Sequence, residues 1–278
     1  MLNSKTEIFC ILGNPIAHSL SPQMHNAGFQ ALNLNCIFVA FLVTNLKEAL
    51  AGIKAIRNIK GIVVTVPFKQ KVLKYIDFLD ITAKDIGAVN AISIKNSKLS
   101  GINTDWTGAI EALEEKTNIT GKNVAVIGAG GAAHAISYGL VKKRAKVIVL
   151  NRTYKKASLM AKKFNLDGFY NLEHQSKIKS MDIIINTTSV GMEPDTHMSP
   201  IHENNILPHH IVFDIIYTPH ETKLIKIAKK KGAKVIHGYK MVLYGGKRIF
   251  ESFTGKKAPI KIMEKVLINN LYPSYSGL

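Results

Sequence analysis

Cysteine is almost missing from this 278-residue chain, occurring only as Cys10 and Cys36. Both sit in apolar, strand-like surroundings without metal-ligand spacing. That excludes a disulfide-stapled scaffold and predicts buried free thiols in a reducing cytosol. Nor does any run approach the roughly 18 consecutive apolar residues of a membrane span, so no membrane partner is expected. The short run Ile8 to Leu12 reads as a strand rather than a signal peptide. Acidic residues are scarce as well: 19 Asp and Glu against 37 Lys and Arg leave a formal charge of +18. Such a surplus attracts phosphorylated and acidic ligands. Arginine, the preferred reader of bases, appears only at Arg57, Arg144, Arg152 and Arg248. The lysines fall on the polar faces or ends of expected helices, as at Lys142-Lys143, Lys162-Lys163 and Lys229-Lys230-Lys231, without interleaved aromatics. No specific nucleic-acid partner follows from that pattern. The partner expected is a small-molecule substrate, the location cytoplasmic, and the assembly a monomer or homodimer.

What is present is an alternation of apolar runs and helical patterns. Glu7–Leu12, Cys36–Val43 and Gly61–Val66 read as strands. Ser21-Pro22 opens a helix between the first two, with Ser21 as cap, and Asn45 caps the next. Ala91–Ile94 and Lys98–Ile102 flank Asn96-Ser97, which predicts a hairpin on the edge of that sheet. A second series follows Gly121, with strands at Val124–Ile127, Lys146–Leu150, Ile183–Asn186, Ile211–Asp214 and Lys234–Ile236 and helices between. Two series mean two sheets, hence an α/β chain of two domains sharing a helix. Long helical patterns run from Gly238 to Thr254 and from Ile260 to Asn270.

The second series opens on a glycine loop. Gly128-Ala129-Gly130-Gly131-Ala132-Ala133 follows a strand and begins a helix, the context a dinucleotide fingerprint requires. Gly128 permits the tight turn and Gly130 lets backbone approach a pyrophosphate. Gly131 and Ala133 keep the helix start near the sheet. The next strand should end over the adenosine ribose, where an acidic residue would bind the 2′-hydroxyl of NAD. Asn151-Arg152-Thr153 stands there instead, followed by Lys155-Lys156. Those groups suit a 2′-phosphate, so NADP(H) is the expected cofactor.

In the first series, Gly61–Lys69 is an apolar strand that stops on Pro67 and delivers Lys69 just past its end. Ligands of open α/β sheets bind outside the carboxyl ends of strands, which puts Thr65 and Lys69 where a carbonyl can be met. Three other segments belong with them. Ser19 and Ser21 offer two hydroxyls beside a helix N-terminus, Asn90 offers an amide, and Asp105 places a carboxylate at a strand-to-helix turn. Taken singly, each is an ordinary cap or turn.

In this order the segments resemble the shikimate dehydrogenase family along essentially the whole chain. The motifs are residues 14–22, Thr65-Val66-Pro67-Phe68-Lys69, Gly87-Ala88-Val89-Asn90, Asn103-Thr104-Asp105, Gly128-Ala129-Gly130-Gly131, Asn151-Arg152-Thr153, residues 186–192, Tyr217-Thr218-Pro219 and Gly238-Tyr239-Lys240-Met241. The resemblance implies NADPH-dependent reduction of 3-dehydroshikimate to shikimate in aromatic amino-acid biosynthesis, without a metal. It implies an N-terminal α/β substrate domain, residues 1–105 with 239–278, to which the C-terminal helices return. A Rossmann-type NADP-binding domain would cover 106–238. Lys69 and Asp105 become the catalytic pair, Ser19 and Ser21 the carboxylate cradle, and Thr65, Asn90 and Tyr217 contacts to the ring. Gly128, Ala129, Gly130, Gly131 and Ala132 would face the pyrophosphate. Asn151, Arg152, Thr153 and Lys156 would hold the 2′-phosphate, and Ile215, Gly238 and Met241 would line the nicotinamide.

One departure stands out. The family usually carries a glutamine on the C-terminal helix that hydrogen-bonds substrate hydroxyls, whereas alignment on Met241 places Gly245 there, and no glutamine follows Gln175. A buried hydroxyl without its partner costs about 1–3 kcal/mol, roughly ten- to a hundredfold in affinity. Tyr244, Lys247 or water are candidates to take its place. Gly245 therefore keeps open a dehydrogenase acting on quinate or another hydroxylated cyclohexane carboxylate. The positive charge and the missing glutamine also allow a non-catalytic cofactor-binding or nucleic-acid-associated module. His209-His210, with His202 and His220 near in sequence, are not read as a metal site, because adjacent residues on an extended chain point oppositely.

Overall fold

The computed structural model describes residues 2–272. These form two compact units, one of residues up to Thr104 together with those from Gly245 onward, the other Asp105–Tyr244.

The first unit holds β1 (Glu7–Gly13), α1 (Ser21–Ala31), β2 (Cys36–Leu42), α2 (Leu46–Ala55), β3 (Ile59–Val64), β4 (Phe78–Leu79), α3 (Ile81–Ile86), β5 (Ala91–Lys95) and β6 (Lys98–Ile102). Its sheet runs β2-β1-β3-β5-β6-β4. β1 pairs parallel with both β2 and β3, while β5 runs antiparallel to β3 and to β6. Burial of Phe9, Cys10, Ile11 and Leu12 accounts for the unbroken apolar reading of β1, since a central parallel strand is covered on both faces. The hairpin forms at Asn96-Ser97, both at positive φ, but it is not at the edge. The two-residue β4 pairs parallel with β6 outside it, a strand too short to leave a periodic signal.

Caps follow the sequence in part. Asn45 accepts from the backbone of Lys47 and Glu48, and Asp80 caps α3 through Ala83 N–H. Ser21 does not cap α1. Leu20 is the cap residue, without a side-chain bond, and Ser21 is the first helical residue.

The second unit begins with α4 (Asp105–Glu114) and continues through β7 (Asn123–Ile127), α5 (Gly131–Lys142), β8 (Lys146–Asn151), α6 (Tyr154–Phe164), β9 (Gly168–Asn171), β10 (Ile183–Asn186), β11 (Ile211–Asp214), α7 (Lys223–Lys230) and β12 (Lys234–His237). Its sheet is wholly parallel in the order β12-β11-β10-β7-β8-β9. That is the doubly wound dinucleotide-binding order, with its switch point where β7 lies beside β10. The two-sheet α/β expectation holds.

α8 (Tyr239–Thr254) passes from the second unit to the first at Tyr244–Gly245, and α9 (Ile260–Leu271) packs on α1. The later turns of α8 are seated by small residues. A Cβ on Gly28 would strike Phe250 and one on Gly61 would strike Phe253, both inside 3 Å. Phe253 stacks on Phe9 at 5.1 Å between centroids, and Phe250 meets Phe29 at 5.4 Å. Burial of these rings returns the C-terminal helix to the first sheet. Cys10 is buried and its thiol is pushed up to about 12 by desolvation, while Cys36 is half-buried; both are free. Among the described residues no helix is long and apolar enough to cross a membrane.

Candidate functional site

In the first unit, backbone hydrogen bonds gather four segments at one end of the sheet. Asn14 N–H donates to Val66 O at 3.0 Å, Val64 N–H to Asn90 O at 2.8 Å and Val89 N–H to Lys69 O at 2.8 Å. Asn90 N–H reaches Ile102 O at 3.1 Å, which adds the last strand end. Gly13 is required at this junction, because a Cβ there would lie 2.6 Å from Thr65 Cγ2. Ser19, Thr65, Lys69 and Asn90 are therefore held in one neighbourhood by the chain itself.

Each of these side chains is partly or fully withdrawn from water. Ser19 is buried, and its hydroxyl accepts from Ser21 N–H at 3.3 Å, which leaves the hydroxyl proton for an anionic acceptor. Ser21, Thr65 and Lys69 are half-buried, so Lys69 is not the fully solvated lysine that composition alone would favour. Asn90 is oriented from both ends of its carboxamide: its nitrogen donates to Thr104 Oγ1 at 3.0 Å, and its oxygen accepts from Thr104 N–H at 2.8 Å. Asn103 donates to Ala88 O at 2.9 Å. Thr104 thus orients the Asn90 carboxamide and Asn103 ties the turn before Asp105 to Ala88, contacts that the motif in sequence does not reveal. Asp105 is bonded covalently to the Thr104 that Asn90 holds, and it opens α4, where a carboxylate suits the helix N-terminus.

In the second unit, the glycine loop lies at the switch point. Gly128 has φ +112°, and a Cβ there would stand 2.5 Å from Thr187 Oγ1, so only glycine fits. Thr187 closes the turn by donating to Ile127 O at 2.6 Å. Around a Cβ on Gly130, in contrast, there is open space within 4 Å. Gly130 is exposed and caps α5 without a side-chain bond, and no acidic residue occupies the first turn. Gly131 and Ala132 are half-buried behind it.

The end of β8 repeats this theme with side chains. Asn151 donates its amide to Thr153 O at 2.9 Å, folding the turn so that Arg152, Thr153 and Lys156 are exposed together. Thr153 is the cap residue of α6 yet makes no side-chain cap bond, and the first turn contains no acid. These donors and the open glycine turn fit a dinucleotide carrying a 2′-phosphate.

Beyond β11, Gly238 packs so closely on the backbone of Ile215 and Ile216 that any Cβ would collide with their carbonyl groups. Met241 is buried and Ile215 and Tyr217 half-buried. Below them Asp214 is fully buried, accepting from Thr222 Oγ1 at 2.7 Å, Asn186 Nδ2 at 3.0 Å and Ile216 N–H at 3.1 Å. Desolvation outweighs those bonds and raises its carboxyl to about 6. This network was not foreseen; its signal is the polar residue ending each of the apolar strands β10 and β11.

Gly245 lies in the first unit, where a Cβ would meet Thr104 O at 3.5 Å and Thr104 Oγ1 at 3.6 Å, ordinary contacts that leave room for a side chain. Tyr244, one candidate to take the place of the missing glutamine, donates its hydroxyl to Glu115, which also binds Lys240 at 3.1 Å.

Two family models match this chain, the shikimate dehydrogenase substrate binding domain over residues 11–92 and shikimate/quinate 5-dehydrogenase over residues 111–216. A shikimate dehydrogenase (NADP(+)) of Methanococcus maripaludis is 43% identical over 98% of this chain and 100% of its own length. One of Aquifex aeolicus is 41% identical over 95% of this chain and 97% of its own. Among solved structures, a shikimate dehydrogenase in complex with NADP+ superposes with TM-score 0.92 at 39% identity, covering 98% of both chains. The Thermus thermophilus shikimate 5-dehydrogenase in complex with NADP(H) and shikimate reaches 0.88 at 32% identity, covering 95% of this chain and 99% of its own.

Proposed function

Since the chain belongs to the shikimate dehydrogenase family, we propose that it catalyses the reversible, NADPH-dependent reduction of 3-dehydroshikimate to shikimate. The observation that carries this reading is the hydrogen-bonded convergence of Ser19, Thr65, Lys69 and Asn90 at the strand ends of the first unit. Bound NADPH would supply the hydride to the ketone carbon.

Lys69 is the proton donor to the carbonyl oxygen on which negative charge grows, and Asp105 is its carboxylate partner. In shikimate oxidation the step runs backward and Lys69 accepts the alcohol proton. Ser19 and Ser21 hold the substrate carboxylate by hydroxyl donation, and Thr65, Asn90 and Tyr217 contact the ring hydroxyls. Arg152, Thr153, Asn151 and Lys156 receive the 2′-phosphate. Gly128, Ala129, Gly130, Gly131 and Ala132 present backbone to the pyrophosphate, while Ile215, Gly238 and Met241 flank the nicotinamide. In this reading residues 1–105 with 239–278 serve the substrate and 106–238 the cofactor. Gly245 keeps quinate open as a second substrate, the position leaving room beside Thr104.

The test follows NADPH absorbance with shikimate or quinate paired with NADP or NAD. The expected result is fastest turnover with shikimate and NADP. Absence of turnover with every pairing would refute the assignment, and preference for quinate would move it to the sister activity.

A further inference from the structure

We infer that His220, Glu221 and His237 form a binding site for one divalent transition-metal ion of zinc-like chemistry. One ligand atom from each of the three lies within 4.8 Å of the others. Glu221 Oε1 is 3.7 Å from His237 Nε2 and 4.0 Å from His220 Nε2. Bonds of 2.0–2.1 Å to a tetrahedral ion set donor separations of about 3.3 Å, so the set needs only a modest contraction and a rotation of one ring. That rotation is required because the two imidazoles now stack, at 4.0 Å between centroids and 16° between planes.

Three features favour an ion there. First, His237 Nδ1 lies 3.3 Å from His220 O; donation to that carbonyl leaves the Nε2 lone pair facing the carboxylate, the tautomer a metal ligand adopts. Second, both rings are withdrawn from solvent, His220 being buried and His237 half-buried. Third, the frame is rigid. His237 ends β12, and His220 and Glu221 precede Thr222, whose hydroxyl is fixed by Asp214 and caps α7 through Ile225 N–H. Glu221 is partly exposed and gives the ion an approach. Three protein ligands leave a fourth position for water.

The competitor is Lys229, whose ammonium sits 2.7 Å from the same Glu221 oxygen. This gives the inference a distinctive signature. Removing Lys229 should tighten metal binding, although it destroys an ion pair. In sequence His202, His209, His210 and His220 are not read as a metal site; the set proposed here arises only in the fold, because β12 brings His237 back beside the residues that follow β11.

The experiment titrates the full chain with Co²⁺ as a spectroscopic stand-in, followed by displacement with Zn²⁺. One equivalent with the absorption of a four-coordinate ion is expected. His237→Gln and Glu221→Gln should each weaken binding by at least about tenfold. Lys229→Met should strengthen it severalfold, and His197→Gln, on an exposed loop, should change nothing. Circular dichroism and NADP binding report whether each variant is folded, and Glu221→Gln, at a partly exposed position, keeps the test valid if His237→Gln fails to fold. Lack of binding by the parent chain, survival of binding in Glu221→Gln, its loss in His197→Gln, or weaker binding in Lys229→Met would each overturn the inference.

Discussion

In the function proposed above, the two units meet their ligands with different parts of the chain. The first would work with side chains. Ser19, Thr65, Lys69 and Asn90 lie in loops at one end of the sheet that backbone bonds lace together, and Thr104 holds the Asn90 carboxamide. The second would work mainly with backbone. Gly128 makes the turn and Gly130 leaves space at the N-terminus of α5, and in the reading proposed above the side chains of Asn151, Arg152, Thr153 and Lys156 add contacts to the 2′-phosphate. A mixed sheet with a buried polar end suits proton transfer, which needs one group held at one place. A parallel sheet with a glycine turn suits a long polyanion, which needs room and a diffuse positive field.

Substitutions can break this contrast, and the largest effect belongs to the first unit. Lys69→Ala should lower kcat by about 10²–10⁴-fold with the fold intact, measured as steady-state NADPH formation. An effect confined to KM would demote Lys69 to a binding residue.

In the second unit a single methyl should act through shape. Gly238→Ala drives a Cβ into Ile215 and Ile216 and should cost about 3 kcal/mol or more, read by denaturant unfolding. Gly130→Ala meets nothing within 4 Å, so stability should hold while NADP affinity falls. Equal loss of stability in the two variants would contradict the division drawn here.

Cofactor choice should depend on an exposed group. Arg152→Ala should reduce the NADP over NAD preference by roughly ten- to a hundredfold, the range of a charge-assisted bond. An unchanged ratio of kcat/KM values would move recognition to Thr153 and Lys156.

A pH experiment separates the units through one buried group each. His25 of α1 is enclosed by Phe38, at 4.6 Å between centroids, and by Phe250, and burial holds it down at about 3. The unfolded chain binds a proton near pH 6.5 that folded His25 refuses. Its contribution is therefore complete above that pH and is lost as pH falls, by about 2 kcal/mol at pH 5. Asp214 has the opposite sign: raised to about 6, it contributes more as pH falls from 6 towards 4. His25→Phe should flatten the acid limb of the stability profile, and an unaltered limb would place the proton elsewhere.

The smallest expected change is a gain. Gly245→Gln places an amide in the space beside Thr104, and the KM for shikimate should fall about tenfold. A rise in KM would mean that Gly245 makes room for a different substrate.

Much of this was legible in the residues because it rests on local rules. The apolar runs of β1, β7, β10 and β11 announced buried parallel strands, and Asn45 announced its helix. The glycine loop and the missing acid after β8 pointed to a phosphorylated dinucleotide, since a tight turn and a charge deficit are properties of neighbours in sequence. β4 left no signal because two residues have no period, and Ser21 misled because a serine before proline also serves as a first helical residue.

By itself, the sequence determined which chemistry the chain carries: the lysine past a strand end, the hydroxyls, the glycine turn and the basic ribose segment. Only tertiary structure decided which groups act on one another. Lys69 stands beside Asn90 because Val89 binds its carbonyl, Tyr244 is committed to Glu115, and His237 joins His220 and Glu221 rather than the paired histidines. Each of these pairings joins residues distant along the chain, and the strand order that closes the loop between them is set by burial of whole sheets.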